Sequence, residues 1–333
     1  MDGKWYSKEV FILDKKILPV FKPFMDLLPK YAHYFAITEW CENLENWMCN
    51  NFMLFYFTKR TDFNTLLFQD SNFKTYNAFS FLYTNVDDLP NPCIEVIKAK
   101  INEGYYINMN IDLFYISCSS KYGKFHLIHP NLVYGYDDEK EEFFICDFYD
   151  GFHYSSATIH YQEWQNAFAK TNYHQFHPDH KKVIFLKNEK DNNFHIDINI
   201  KVIIEKMEEY LNANSKVAFL GLNIYQEINE LFSKSDGSDI NIKLFAHLVE
   251  HKRIMLIRLN KIEKETGVDL QTEKDQCQKA MDIATILKNL IIKCAITEQI
   301  EKQRIENHLK NISEIEEIYM LNTITKVNQW RLI

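Results

Sequence analysis

The chain of 333 residues is poor in glycine and proline, with Gly 8 and Pro 7. It contains neither G-x-G-x-x-G nor G-x-x-x-x-G-K, the glycine-rich loops that hold phosphate groups in many nucleotide-binding proteins. This absence disfavours nucleotide-dependent chemistry. Lys+Arg 38 against Asp+Glu 46 gives a net charge of −8, so the chain lacks the basic excess of nucleic-acid binders. We therefore expect no nucleic-acid partner.

Long apolar runs and paired cysteines are also missing. No segment approaches the roughly 20 apolar residues that a membrane-spanning helix requires. The N-terminal MDGKWYSKEV carries charges and no uninterrupted apolar core, so it does not resemble a secretory signal. Seven cysteines lie between Cys41 and Cys294 without a C-x-x-C pair, which disfavours disulfides and structural zinc. The sequence predicts a reduced, cytoplasmic protein with free thiols and no membrane partner.

The first part of the chain mixes helical and strand patterns. The segment ITEWCENLENWMCNNFMLFYF predicts a buried helix that opens at Thr38, a residue type favoured at helix N-caps. CIEVIKAKINEG predicts a second helix that stops at Gly104. Aromatic and β-branched residues predict strands in YYINMNIDLFYI, FHLIHPNLVYGYD, EEFFICDF and KVIFLK, with YDDEKE as a hairpin turn.

The second part of the chain reads almost entirely as helix. The polar run KNEKDNN, residues 187–193, is the best candidate for a linker. Beyond it, apolar residues recur with the 3.6-residue helical period in several long segments, which predicts a packed bundle. We therefore expect an α+β domain over residues 1–190 and an all-α domain over 191–333.

Three residues in the first part have the types and order of a nucleophilic site. Cys41 is predicted in the first turn of its helix, where unpaired N–H groups and the helix dipole stabilise a thiolate. His129 opens one predicted strand, and Asp147 ends the next. Because adjacent antiparallel strands bring such residues side by side, the carboxylate can orient the imidazole that activates the thiol. The pattern predicts a Cys–His–Asp triad.

These residues resemble a known family. The order of a cysteine on a helix, then H-x-x-x-x-x-G-Y-D from His129 to Asp137, then a strand ending in Asp147, is similar to the papain-like fold. The nearest match is the group of cysteine acyltransferases and amide synthetases typified by the butirosin-biosynthesis acyltransferase N-terminal domain and the closthioamide amide synthetase. Bacteriocin-leader cysteine peptidases share the His-to-Gly spacing. Cys41-Glu42 and the stretch from Gly104 to Tyr115 also resemble this group, over roughly residues 30 to 190.

The resemblance implies a fold, a reaction and partners. It implies a nucleophile helix and an antiparallel sheet, with an added helical region that docks the substrate or a carrier protein. Cys41 would be the nucleophile, His129 the general base and then acid, and Asp147 the orienting carboxylate. An acyl chain would pass from a carrier-protein thioester to the cysteine and then to a small-molecule amine, in thiotemplated natural-product biosynthesis. No cofactor is implied.

Several alternatives stay open. The same triad could deliver the acyl group to water, as in a cysteine peptidase or thioesterase, or could be the remnant of a non-catalytic binding module. Free cysteines are commonly buried, and Cys49 or Cys93 could replace Cys41 as the nucleophile. Cys118 and Cys146 are expected in the core. His126 could replace His129 as the base.

Two histidine patterns invite a metal interpretation, which we do not favour. HQFHPDH, containing His174, His177 and His180, includes a proline that breaks a helix, so a solvated loop is expected. HLVEH, from His247 to His251, matches the H-x-x-E-H string of some zinc peptidases, with Glu314, Glu316 or Glu317 as a possible third ligand. Because Leu244, Leu248 and Met255 repeat on the same predicted helix, we expect an amphipathic surface helix and no metal.

Overall fold

The structure is a computed structural model that describes residues 14–58, 65–69, 71–76, 78–171, 181–189, 195–212, 219–234 and 241–332. The strands are β1 (Lys15–Ile17), β2 (Phe55–Thr58), β3 (Thr65–Phe68), β4 (Phe79–Asn85), β5 (Tyr106–Asp112), β6 (Ile128–Asp137), β7 (Glu142–Asp147), β8 (Ser155–His160), β9 (Lys182–Asn188) and β10 (Phe219–Leu220). The helices are α1 (Pro29–Ala36), α2 (Glu42–Asn50), α3 (Ile94–Asn102), α4 (Tyr161–Lys170), α5 (Ile200–Asn212), α6 (Asn223–Lys234), α7 (Ile242–Thr266), α8 (Gln271–Thr297) and α9 (Lys302–Trp330).

The chain is an α+β protein that divides into two compact units. The first comprises the described residues of Met1–Glu39 and Phe73–Phe194, and the second those of Trp40–Asn72 and His195–Ile333. The expected domains over 1–190 and 191–333 differ from these units in the segment Trp40–Asn72, which groups with the C-terminal helices. Within the described residues, no helix is long and apolar enough to cross a membrane.

The first unit is built on a seven-stranded sheet with neighbours in the order β4-β9-β5-β6-β7-β8, and β1 also pairs with β6. Every pairing is antiparallel. The strands predicted in YYINMNIDLFYI, FHLIHPNLVYGYD, EEFFICDF and KVIFLK are confirmed as β5, β6, β7 and β9. The helix predicted from CIEVIKAKINEG is confirmed as α3, and Gly104 follows it with φ +90, a conformation that glycine adopts without strain.

The G-Y-D segment shapes the hairpin of β6 and β7. A Cβ atom on Gly135 would lie 2.8 Å from the carbonyl oxygen of Lys16 in β1, so a glycine is required for this close pairing. Asp137 accepts from Lys15 Nζ at 2.7 Å and from the backbone N–H of Lys140, inside the turn, at 3.3 Å. These contacts hold the hairpin at its turn, and beyond it the register shifts by one residue at a bulge between Val133 and Gly135.

The helix predicted from Thr38 is shorter than expected. Helix α1 ends at Ala36, and Thr38 donates from Oγ1 to the carbonyl oxygen of Tyr34 at 3.0 Å, so Thr38 belongs to the end of α1. Helix α2 begins only at Glu42 and ends at Asn50. The apolar residues that follow form β2 rather than a continued helix, and β2 pairs with both β3 and β10.

The second unit confirms the long helices expected after residue 190. Helices α7, α8 and α9 pack in succession through apolar residues at helical spacing. The C-terminal end of α2 is held by Arg258 of α7, a fully buried side chain. Its Nε donates to the carbonyl oxygen of Cys49 at 2.7 Å, and Nη2 donates to those of Asn51 and Phe52 at 3.2 and 3.3 Å. Arg258 therefore satisfies carbonyls that a helix end leaves unpaired.

Candidate functional site

His129 and Asp147 lie together at one end of the sheet of the first unit. Leu132 of β6 pairs with Cys146 of β7, so the register carries Asp147 onto the same face as His129. His129 Nδ1 lies 2.6 Å from Asp147 Oδ2. The His129 side chain is 24% exposed, while that of Asp147 is fully buried. The structure thus places His129 and Asp147 side by side, as the sequence predicts.

This geometry fixes the role of each ring nitrogen. An ionised carboxylate can accept a hydrogen bond but cannot donate one. His129 Nδ1 therefore carries the hydrogen that it shares with Asp147, and Nε2 is the nitrogen that can take a proton. Within the described part of the chain, no group bonds to Nε2. The second carboxylate oxygen of Asp147, Oδ1, is buried and has no hydrogen-bond partner among the described residues. The arrangement is that of a general base with an orienting carboxylate.

A second histidine, which the sequence analysis did not identify, supports this pair from α1. His33 is fully buried, with Nδ1 2.9 Å from the hydroxyl of Tyr154 and Nε2 3.3 Å from the carbonyl oxygen of Pro130. Burial lowers the pKa of His33 to about 4, so the ring is neutral near pH 7. The neutral ring donates from Nε2 to Pro130, the residue after His129, and accepts from Tyr154. No local sequence pattern marks His33, because its partners are about one hundred residues away.

The backbone of His129 is held by a second contact. Asn131, buried two residues further along β6, donates from Nδ2 to the carbonyl oxygen of His129 at 3.2 Å. Asn131 Oδ1 in turn accepts from the buried hydroxyl of Tyr149 at 3.0 Å. A ring whose backbone and Nδ1 are both bonded keeps one orientation, which is the condition for efficient proton transfer.

Cys41 belongs to the second unit, where it is the N-cap residue of α2. Its backbone is extended, its carbonyl oxygen accepts from the backbone N–H of Glu45 at 3.0 Å, and its side chain is exposed. The predicted N-cap at Thr38 placed Cys41 at the third position of the helix, whereas in the structure Cys41 is itself the N-cap. At the N-cap Cys41 still lies at the positive end of the helix dipole, and its side chain makes no capping hydrogen bond.

Acidic residues surround Cys41 in the sequence, and the structure shows how their charge is compensated. Glu39 is exposed to solvent. Glu42 lies 3.4 Å from both Lys261 Nζ and Lys264 Nζ, and Lys261 also lies 3.3 Å from Glu45. The hydrogen bond from Lys261 contributes most to lowering the pKa of the Glu42 carboxyl. The two lysines of α7 thus offset the negative charge in the first turn of α2.

The other cysteines are poorer nucleophiles. Burial raises the pKa of Cys49 and Cys146 to about 11 and that of Cys93 to about 12. Cys146 is a core strand residue, as predicted. The same prediction for Cys118 is wrong, because Cys118 lies in an exposed turn after the 3₁₀ segment Leu113–Tyr115. Desolvation of its sulfur, followed by the charge of Glu163, raises the pKa of Cys118 to about 11.

The H-x-x-E-H segment lies on α7, and its two histidines are fully buried. The expectation of an amphipathic surface helix is therefore wrong for this face of α7, although Leu244, Leu248 and Met255 are core residues as predicted. His251 Nδ1 lies 3.4 Å from Glu316 Oε1, but the ammonium group of Lys252 lies 2.5 Å from the same oxygen.

The positive charge next to Glu316 is therefore the ammonium group of Lys252. Within the described ranges, no group of three or more His, Cys, Asp or Glu residues is arranged to hold a metal ion. His174, His177 and His180 lie outside the described residues.

The comparisons with known proteins add no assignment, since no family model matches this chain and no curated protein matches it.

Proposed function

We propose that this protein is a cysteine-dependent acyltransferase that forms an amide from an acyl thioester and an amine. The observation that carries the proposal is the bond between His129 Nδ1 and buried Asp147, which leaves Nε2 of a partly exposed imidazole free to move protons. Cys41, exposed at the N-cap of α2, is the proposed nucleophile. The proposal extends to a papain-like fold, in which a helix supplies the thiol and a sheet supplies the base.

The first step transfers the acyl group to the protein. The Cys41 thiolate attacks the carbonyl carbon of the thioester, forming a new C–S bond while the bond to the donor sulfur breaks. The His129 imidazolium gives its proton to the departing donor thiolate. Because one thioester replaces another, this step has little thermodynamic cost. The backbone N–H of Cys41 is a candidate donor to the oxyanion that develops on the acyl oxygen.

The second step releases the product. The nitrogen of a neutral amine attacks the acyl carbon, the C–N bond forms, and the bond to Cys41 breaks. The nitrogen loses a proton to His129 Nε2, so that His129 becomes the imidazolium and Cys41 leaves as the thiolate. Asp147 stabilises the imidazolium formed in this step. The acyl donor in this proposal is a carrier-protein thioester, and the acceptor is a small-molecule amine.

The proposal is tested by product formation from an acyl-N-acetylcysteamine thioester and an alkylamine, with the amide measured by liquid chromatography and mass spectrometry. Cys41→Ala should abolish amide formation above the uncatalysed rate. His129→Gln should lower the rate by about 10²- to 10⁴-fold, the usual contribution of a general acid–base group. Cys118→Ala is the matched control, because it removes the other exposed thiol, and it should keep the wild-type rate.

Two outcomes would overturn the proposal. Full amide formation by Cys41→Ala would remove Cys41 from the mechanism. Release of the acyl group only as the free acid, whatever amine is present, would identify a hydrolase that uses the same residues.

A further inference from the structure

Strand β4 forms one edge of the seven-stranded sheet of the first unit, and its only described partner strand is β9. The two strands pair without a bulge over all seven residues, Phe79–Asn85. The backbone N–H of Glu189 donates to the carbonyl oxygen of Ala78 at 2.7 Å, so every second residue of β4 from Ala78 onwards bonds to β9. The backbone groups of Phe81 and Tyr83 therefore point away from β9, and no group in the described ranges bonds to them.

The edge of β4 also lacks the features that usually keep one sheet from pairing with another. Natural edge strands carry charges, prolines or bulges, or are very short. Strand β4, FSFLYTN, has seven residues with no charge and no proline, and Leu82 and Tyr83 at its centre are 43% and 47% exposed. In β8, at the opposite edge, the one large apolar residue is Ile159, which is buried. Strand β4 is therefore the edge of this sheet that suits a partner strand.

The order of residues in β4 is nearly symmetric about Leu82. Phe81 and Tyr83 flank it as aromatic residues, and Ser80 and Thr84 follow on either side as hydroxyl residues. Two antiparallel copies of β4 centred on Leu82 would place Phe81 of each copy opposite Tyr83 of the other. The backbone groups that point away from β9 would then bond to each other, as in a hydrogen-bonded antiparallel pair. Ser80 would lie opposite Thr84, and aromatic and hydroxyl pairs at such positions stabilise a sheet.

The side chains are already arranged for this pairing. Phe81 and Tyr83 lie on one face of the strand, with ring centroids 6.2 Å apart and planes at 6°. Lys74 Nζ lies 4.8 Å from the centroid of the Tyr83 ring. A second copy would add two more rings to this row. Leu82 lies on the other face, where it would meet Leu82 of the second copy.

We propose that two copies of this chain associate through β4, antiparallel and centred on Leu82, so that their two sheets join into one. The near-symmetric order of β4 favours a second copy over an unrelated extended peptide, which would use the same backbone groups without needing that symmetry. The association goes beyond the proposed reaction and does not depend on it. Its readout is therefore the mass of the protein in solution rather than activity.

Size-exclusion chromatography with light scattering measures that mass. Wild-type protein should have about twice the 39.8 kDa of one chain. Leu82→Lys and Leu82→Glu should each be monomers, because two like charges would lie directly opposite each other. An equimolar mixture of the two variants should recover the dimer mass, since Lys then lies opposite Glu. Ile17→Lys is the matched control, because Ile17 is 46% exposed on β1 of the same sheet and its replacement should leave the dimer intact.

Cysteine cross-linking tests the register. In a background of Cys41→Ala and Cys118→Ala, which lacks the two exposed thiols, each added cysteine is oxidised with copper–phenanthroline and the product is resolved on a non-reducing gel. Leu82→Cys should form a covalent dimer, because non-hydrogen-bonded antiparallel partners lie about 4.5 Å apart between Cα atoms, within reach of a disulfide. Tyr83→Cys should not, since the two copies of position 83 would lie about 8 Å apart.

Three results would overturn the proposal. The first is a wild-type monomer at the highest soluble concentration. The second is a dimer mass in both Leu82→Lys and Leu82→Glu, which would place the contact elsewhere. The third is an equimolar mixture of these variants that stays monomeric while each variant keeps the wild-type circular dichroism spectrum. A covalent dimer from Tyr83→Cys and none from Leu82→Cys would contradict the register.

Discussion

Lys252 Nζ lies 2.5 Å from Glu316 Oε1, and both side chains are fully buried in the second unit. The hydroxyl of Tyr225 donates to Glu316, and that of Tyr210 donates to it at 3.2 Å. His251 joins the group through Lys252, 3.0 Å from its Nδ1, and through the carbonyl oxygen of Met53, 3.1 Å from its Nε2. One carboxylate thus connects helices α5, α6, α7 and α9.

Removal of the charge on Glu316 alone should be strongly destabilising. Glu316→Gln leaves the Lys252 ammonium buried without a counter-charge, and breaking a buried ion pair in this way costs about 3–5 kcal/mol. Urea-induced unfolding, followed by circular dichroism, measures the change. The double variant Lys252→Met, Glu316→Gln removes both charges of the pair. Its free energy of unfolding should therefore fall by less than the sum of the decreases in the two single variants. Additive losses would show that the two side chains are not coupled.

Acidification should destabilise the protein in two stages. Burial lowers the pKa of His33 to about 4 from 6.5, so between these pH values the unfolded chain binds more protons than the folded one. Stability should therefore fall from pH 6.5 to 4, with a slope from this group of up to about 1.4 kcal/mol per pH unit. Burial raises the pKa of Glu316, but Lys252 and His251 outweigh it and lower the pKa to about 2. The stability that ionised Glu316 contributes is therefore present above pH 4.5 and is lost as the pH falls from 4.5 to 2. Urea midpoints that stay constant from pH 7 to pH 4 would contradict this account.

Thiol labelling should distinguish the seven cysteines in the native protein. Iodoacetamide should modify Cys41 first, because its side chain is exposed at a helix N-terminus. Cys118 should react more slowly despite its exposure, since its raised pKa leaves little thiolate near pH 7. The other five cysteines are buried and should be modified only in urea: Cys49, Cys93, Cys146, Cys277 and Cys294. Peptide mapping after timed labelling gives the order, and early modification of Cys49 or Cys93 would contradict it.

Asp147→Asn should impair catalysis with little effect on the fold. An asparagine amide can donate to His129 Nδ1, which favours the tautomer with hydrogen on Nε2 and so blocks proton acceptance there. We expect acyl transfer at pH 7 to fall about 100-fold or more, with the urea midpoint nearly unchanged. Asp150→Asn is the control, because it alters an exposed His–Asp pair with the same 2.6 Å separation. Acyl transfer by Asp147→Asn at the wild-type rate would contradict the role assigned to Asp147.

The pairing of His129 with Asp147 could be predicted because it depends on local sequence. The short turn between β6 and β7 makes the two strands neighbours, but the register shifts by one residue between Val133 and Gly135, and this bulge, which the sequence analysis did not predict, places Asp147 on the face of His129. The fate of Phe55–Thr58 could not be predicted, because its apolar run suits a buried helix as well as a strand. In the structure it pairs with Thr65–Phe68 and also with Phe219–Leu220, a partner more than 160 residues away in the sequence.

The grouping of Trp40–Asn72 with the C-terminal helices has the same kind of cause. Asn46 Nδ2 donates to the carbonyl oxygen of Ile196 at 2.8 Å, and Arg258 caps the end of α2. Neither contact leaves a periodic signal in the sequence. Polar contacts between distant segments therefore determine how the helix that carries Cys41 is held.

Intact-protein mass spectrometry after incubation with an acyl-N-acetylcysteamine thioester shows whether Cys41 is the nucleophile. Wild-type protein should carry a single acyl adduct, mapped to Cys41, absent from Cys41→Ala and retained by Cys118→Ala. Addition of an amine should discharge the adduct as an amide. An adduct that persists in Cys41→Ala would contradict the account.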